Sequence, residues 1–141
     1  MTAGVSSIEL RVRYAETDQM GVAHHANYLV WCEEARTAHF RRSGVSYRDL
    51  ENQGLILVVV EVQVRYRAPA RYDDLLRVDC WVRDRNRRRL IFGYAVRRPD
   101  DHQLLATAQT SLIALDSSHV LGRLPPRVLD HLEPVPDPIR L

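Results

Sequence analysis

At 141 residues, 45% hydrophobic and 27% charged, the chain is long enough to bury one core without disulfides or metals and too short for a second comparable domain. Its formal net charge of +2 is too small to call for a nucleic-acid partner, although all 20 basic residues are arginines spread along the chain. No apolar run approaches the roughly 20 residues that span a membrane, and residues 1–9 lack the basic and apolar regions of an export signal. A cytoplasmic protein is therefore expected.

Residues 8–14 alternate, with Ile8, Leu10, Val12 and Tyr14 against Glu9, Arg11 and Arg13, the period of a half-buried strand. An irregular connection follows, carrying Asp18, Gly21 and His25. From Asn27 to Ser43 the period becomes helical. Tyr28, Trp31, Cys32, Ala35, Ala38 and His39 recur at steps of three and four, and Glu33, Glu34, Arg36, Arg41 and Arg42 take the other side. Asn27 is expected to cap this helix and Gly44 to end it. A shorter helix is expected over Tyr47–Gln53, capped by Ser46.

Four strands come next. In the first, Val58, Val60, Val62, Val64 and Tyr66 are expected on one face, and Glu61, Gln63, Arg65 and Arg67 on the other, up to the break at Ala68-Pro69-Ala70. Leu76–Val82, Leu90–Val96 and Leu104–Ala114 mark the others. Turns at Asp84–Arg87 and Pro99–His102 join these three into an antiparallel meander. Residues 125–132 read as a short terminal helix, and a tail from about 133 to 141 is expected to be extended and mobile. One long helix with five strands gives an α+β fold, an antiparallel sheet wrapped around a central helix, in a single domain over 1–141. One helix leaves strand edges open, which pairing with a second copy would cover.

The residues of the connection carry the chemistry. Asp18 has no core to pack into there, and loops held between rigid elements are where reactive groups tend to sit. Tyr14 stands four residues before it and His25 seven after. The first amides of the following helix lack intrahelical acceptors. A carboxylate, a tyrosine, a histidine and such a helix start make a workable hydrolytic site.

The whole run Tyr14-Ala-Glu-Thr-Asp-Gln-Met-Gly-Val-Ala-His-His-Ala-Asn-Tyr28 resembles the signature of the 4-hydroxybenzoyl-CoA thioesterase family. It looks closest to the acyl-CoA thioesterase branch associated with the Tol-Pal system. The likeness continues through Trp31–Arg36, Tyr66–Ala70 and Asp73–Leu75. The resemblance implies a hot-dog fold, a homodimer or homotetramer with active sites between subunits, and hydrolysis of an acyl-CoA without metal or cofactor. An acyl-carrier protein is the other substrate form it allows. By position, Asp18 matches the catalytic carboxylate, as general base or nucleophile, and Tyr14 and His25 match the branch's tyrosine and histidine. An amide at or near His25 is expected to polarise the thioester carbonyl. Glu16, Ala23 and His24 depart from the usual residues.

Arg85-Asn-Arg-Arg-Arg89 is the densest basic run, and Arg88 and Arg89 are the candidates for the phosphates of CoA. No GxSxG elbow, HExxH pair or CxxC pair is present. Cys32 and Cys80 fall in apolar runs and read as reduced core residues. A hydratase of similar fold, or a non-catalytic acyl-CoA or carrier-protein binding subunit, are the alternatives the residues leave open.

Overall fold

The computed structural model describes residues 4–141. Strand β1 (Val5–Arg11) is followed by helix α1 (Asn27–Arg42), the short helix α2 (Tyr47–Asn52), strands β2 (Ile56–Tyr66), β3 (Leu75–Arg85), β4 (Arg89–Arg98) and β5 (Gln103–Leu115), and helix α3 (Pro126–His131). The strands form one sheet in the order β1-β3-β4-β5-β2, with every neighbouring pair antiparallel. The β3-β4-β5 meander is as expected. It places the strand before α1 and the strand after α2 at opposite edges.

Helix α1 lies over β1 and β3. Its Trp31, Cys32, Ala35 and Phe40 are buried against Leu76, Val78, Cys80 and Phe92 from the concave face of the sheet. Fully burying a side chain the size of Phe40, Leu76, Val78 or Phe92 contributes about 1.5–3 kcal/mol. Both cysteines are buried and free, and burial pushes the Cys32 thiol up to about 12.

The convex face is also covered, and here the expectation of a mobile tail is corrected. Val135 donates its amide to Val82 O at 3.0 Å. Val135, Ile139 and Leu141 pack around Val5, Trp81 and Ala95. Asp137 accepts the Trp81 indole N–H at 2.9 Å and pairs with Arg83 at 2.6 Å. Apolar residues at alternating positions and one acid anchor the segment.

Two other expectations change. Asn27 is the first residue of α1 rather than its cap, which is Ala26. In β2 a bulge between Val59 and Glu61 shifts the facing, so Val58 does not share the face of Val62, Val64 and Tyr66. Among the described residues no helix is long and apolar enough to cross a membrane.

Candidate active site

The connection between β1 and α1 folds as a tight turn and a miniature hairpin. A single 3-10 turn, Tyr14–Glu16, leads into a bridge between Thr17 and Ala23. Asp18 closes the hairpin: its amide donates to Val22 O at 2.9 Å, and its carbonyl accepts the Gly21 amide at 2.9 Å. Gly21 sits at φ +80°, a conformation that disfavours any side chain even where the surrounding space is open.

Glu16 is the anchor beneath. It is buried, accepts the Arg13 amide at 2.7 Å and takes the Trp31 indole N–H at 2.9 Å. Asn27 reaches back with its amide to Glu16 O at 2.8 Å and His24 O at 3.2 Å. Ala23 donates to Ala70 O at 2.8 Å. The hairpin is therefore fastened to the start of α1 on one side and to the 68–70 segment on the other.

The Asp18 carboxylate is half-buried, with Oδ1 accepting the Met20 amide at 2.8 Å. Its other oxygen has no protein donor among the described residues. At the start of α1, the amides of Asn27 and Tyr28 return to His24 O and His25 O. The His25 amide has no acceptor among the described residues. Its carbonyl is held by the Tyr66 hydroxyl at 2.9 Å, and the Tyr66 ring stands edge-on to both His25 and Tyr28. Burial raises the pKa of both Tyr66 and Tyr28, keeping both hydroxyls neutral. Tyr28 in turn accepts the Ala70 amide at 3.2 Å.

A cavity of about 300 Å³ opens here, lined by Val22, Ala23, His25, Tyr28, Tyr66 and Arg67 together with the 68–69 segment. Asp18 stands beside it on the hairpin arm opposite Val22. Asp18 and His25 thus belong to one locality. Tyr14 does not join them: it is 77% exposed, its ring packs edge-on against Tyr72 at 5.5 Å, and the Met20 amide rather than the tyrosine orients the Asp18 carboxylate.

Arg88 and Arg89 lie elsewhere in the chain. With Arg87, Arg123, Ile113 and Leu121 they line a second cavity of about 530 Å³, at the other end of the sheet. Arg89 pairs with Ile113, whereas Tyr66 pairs with Ala106. Those seven residues of β5 put roughly 23 Å between the two places along the strand. One chain does not bring these arginines to His25.

Sequence periodicity missed Tyr66 and Arg67. Strict alternation would send Arg67 to the convex face, away from Tyr66. Instead the Arg67 and Ala68 amides both donate to Leu105 O, at 2.8 and 3.1 Å. Two residues facing one is a β-bulge, and Arg67 lines the cavity with Tyr66. Pro69, just beyond, was the available signal that the ladder ends here.

Comparison with known proteins gives a consistent result. The model of the thioesterase-like superfamily matches residues 12–137. YneP of Bacillus subtilis is 41% identical over 112 residues, 79% of this chain and 80% of that protein. The acyl-CoA thioester hydrolase YbgC of Escherichia coli is 30% identical over 118 residues, covering 84% and 87%. The crystal structure of a DHNA-CoA thioesterase from Staphylococcus aureus superposes with a TM-score of 0.81 at 35% identity, covering 84% of this chain and 80% of that one.

Proposed function

The chain belongs to the thioesterase-like superfamily and has its hot-dog fold, and from that premise we propose that it is an acyl-CoA thioesterase acting through Asp18 and the start of α1. The observation that carries this reading is that the His25 amide has no acceptor among the described residues, and that His25 lines a cavity with Val22, whose carbonyl accepts the Asp18 amide at 2.9 Å.

In the proposed reaction the thioester carbonyl lies against the His25 N–H. Water held by the free Asp18 oxygen gives up a proton to the carboxylate as its oxygen attacks the carbonyl carbon. The oxyanion that develops is stabilised by the His25 N–H and by the positive end of the α1 dipole. The intermediate collapses by breaking the carbon–sulfur bond, and the departing CoA thiolate takes the proton held by Asp18, which returns the carboxylate to its starting state. Thiolate leaves readily, so the site needs no strong acid. General-base action by the free oxygen is the proposed route, and direct attack by the same oxygen would instead form a mixed anhydride. The His25 ring, lining the cavity, helps position that water. Among the described residues Tyr14 has no side-chain contact with these groups, and it packs against Tyr72 on the exposed surface.

The reading includes a homodimer. Strand β2 pairs with β5 on one side and leaves an 11-residue edge open, along which Val59, Val60, Val62 and Tyr66 are 39–54% exposed. The run Glu61-x-Gln63-x-Arg65 is self-complementary. An antiparallel copy centred on Gln63 sets Glu61 opposite Arg65 of the second chain twice over. Such pairing also lays the start of one β2 beside the Tyr66 end of the other. That moves the second chain's Arg88 and Arg89 towards this chain's cavity, where they could take CoA phosphates. Two reduced, buried cysteines fit a cytoplasmic setting.

The test is thiol release from a panel of aliphatic and aromatic acyl-CoAs. Turnover of at least one class, at a rate well above that of buffer, is expected. A purified, folded protein that releases no thiol from any of them contradicts the reading.

A further inference from the structure

Among the described residues Arg67 is the one arginine that lines the active-site cavity, next to the bulge at Leu105. Its other lining neighbours are Val22, Ala23, His25, Tyr28, Tyr66 and the 68–69 segment, so no carboxylate answers it within the cavity. No ion pair to Arg67 is found among the described residues. Bulges change which way successive residues face beside active sites, and this one sets Arg67 among the residues that line the cavity.

The position decides what such a charge can meet. His25 and Arg67 border the same space of about 300 Å³, the room of a sphere roughly 8 Å across. A thioester carbonyl at the His25 amide therefore lies within a short side chain's reach of the guanidinium. The phosphates of CoA are held away from the thioester by the full length of the pantetheine arm. A negative group on the acyl part is not.

Building on the thioesterase reading, we propose that Arg67 selects acyl groups that carry a carboxylate a few carbons from the thioester, gripping it through the planar fork of the guanidinium. In an apolar-walled cavity a charge-assisted pair of this kind discriminates strongly against a neutral isostere, by about 10- to 100-fold. The fork geometry matters as well as the charge, so lysine is an incomplete substitute.

Matched substrates test this. The ratio of kcat/KM for succinyl-CoA over butyryl-CoA is measured in wild type, Arg67→Gln, Arg67→Lys and Arg67→Glu, and again with the N-acetylcysteamine thioesters of the same acids, which lack phosphates. The expected wild-type ratio is about 10 to 100 in both series. It falls to about 1 in Arg67→Gln, is partly recovered in Arg67→Lys and drops below 1 in Arg67→Glu. A wild-type ratio at or below 1, or one that Arg67→Gln leaves intact, overturns the proposal. Losses in Arg67→Gln confined to the CoA series and equal for both acids also overturn it, assigning Arg67 to a CoA phosphate. Inactivity of the wild type on every thioester would instead overturn the thioesterase reading itself, and this proposal with it.

Discussion

At the scale of single residues the site is a division of labour between groups that react and groups that hold. Asp18 and the His25 amide are the reacting pair of the proposal. Glu16, although it is an acid in the same motif, is spent on the Arg13 amide and the Trp31 indole and cannot share their work. Tyr66 is the strongest of the holders, because its hydroxyl fixes the His25 peptide whose N–H is the proposed donor to the thioester carbonyl. Tyr66→Phe removes that bond and little else. It is expected to cost about 1 kcal/mol of stability and to lower kcat more than it raises KM, read from steady-state kinetics beside a thermal melt. An unchanged kcat would separate the His25 peptide from catalysis. Asp18 and His25 were legible as candidates in the sequence because they are polar groups flanking a glycine between a strand and a helix. Tyr66 and Arg67 were not, since their roles depend on where β2 leaves its ladder with β5, a long-range matter no local period records.

At the scale of elements, two glycines do different jobs. Gly21 is needed for its backbone: it lies at φ +80° with open space around it, and Gly21→Ala should cost about 1–2 kcal/mol while leaving the tail in place. Gly93 is needed for its missing side chain, since a Cβ there would lie 2.6 Å from the Trp81 indole. Gly93→Ala must displace that ring and with it the Asp137 anchor, so residues 133–141 should become sensitive to limited proteolysis in this variant and not in Gly21→Ala. The tail's order was hidden from the sequence because prolines signal an extended chain without saying what it packs on.

Helix α1 is tied to β1 through His39, whose Nδ1 lies 2.7 Å from Ser6 Oγ in the core. Burial first, and then the neighbouring Arg42 charge, lower the His39 pKa from 6.5 to about 4. The unfolded chain binds this proton more readily than the folded one. Stability is therefore full above about pH 6.5 and declines as the pH falls towards 4, by up to about 3 kcal/mol. Denaturant titrations across this range should show His39→Gln with a shallower acid loss than wild type.

At the scale of the whole molecule, the edge of β2 is where the account reaches beyond one chain. The sheet order was recoverable in part: the meander followed from alternation and turns, while the placement of β1 beside β3 and β2 beside β5 required the structure. The open β2 edge gives the dimer proposal a sharp test through its charges. Glu61→Arg turns two attractive cross-strand pairs into repulsive ones and should weaken self-association by about tenfold, and Glu61→Arg with Arg65→Glu should restore it. Sedimentation of the three proteins that gave identical association would remove this edge as the contact.

The measurement that bears most directly on the central claim is thiol release by Asp18→Asn beside wild type on the best acyl-CoA, with melting temperature and ligand binding recorded on the same preparations. The account predicts a folded protein that still binds the acyl-CoA and whose kcat is lower by about 10²- to 10⁴-fold, the usual contribution of a positioned general base. Turnover within a few-fold of wild type would contradict it, and Asp18 would then be a turn residue that holds Met20 and nothing more.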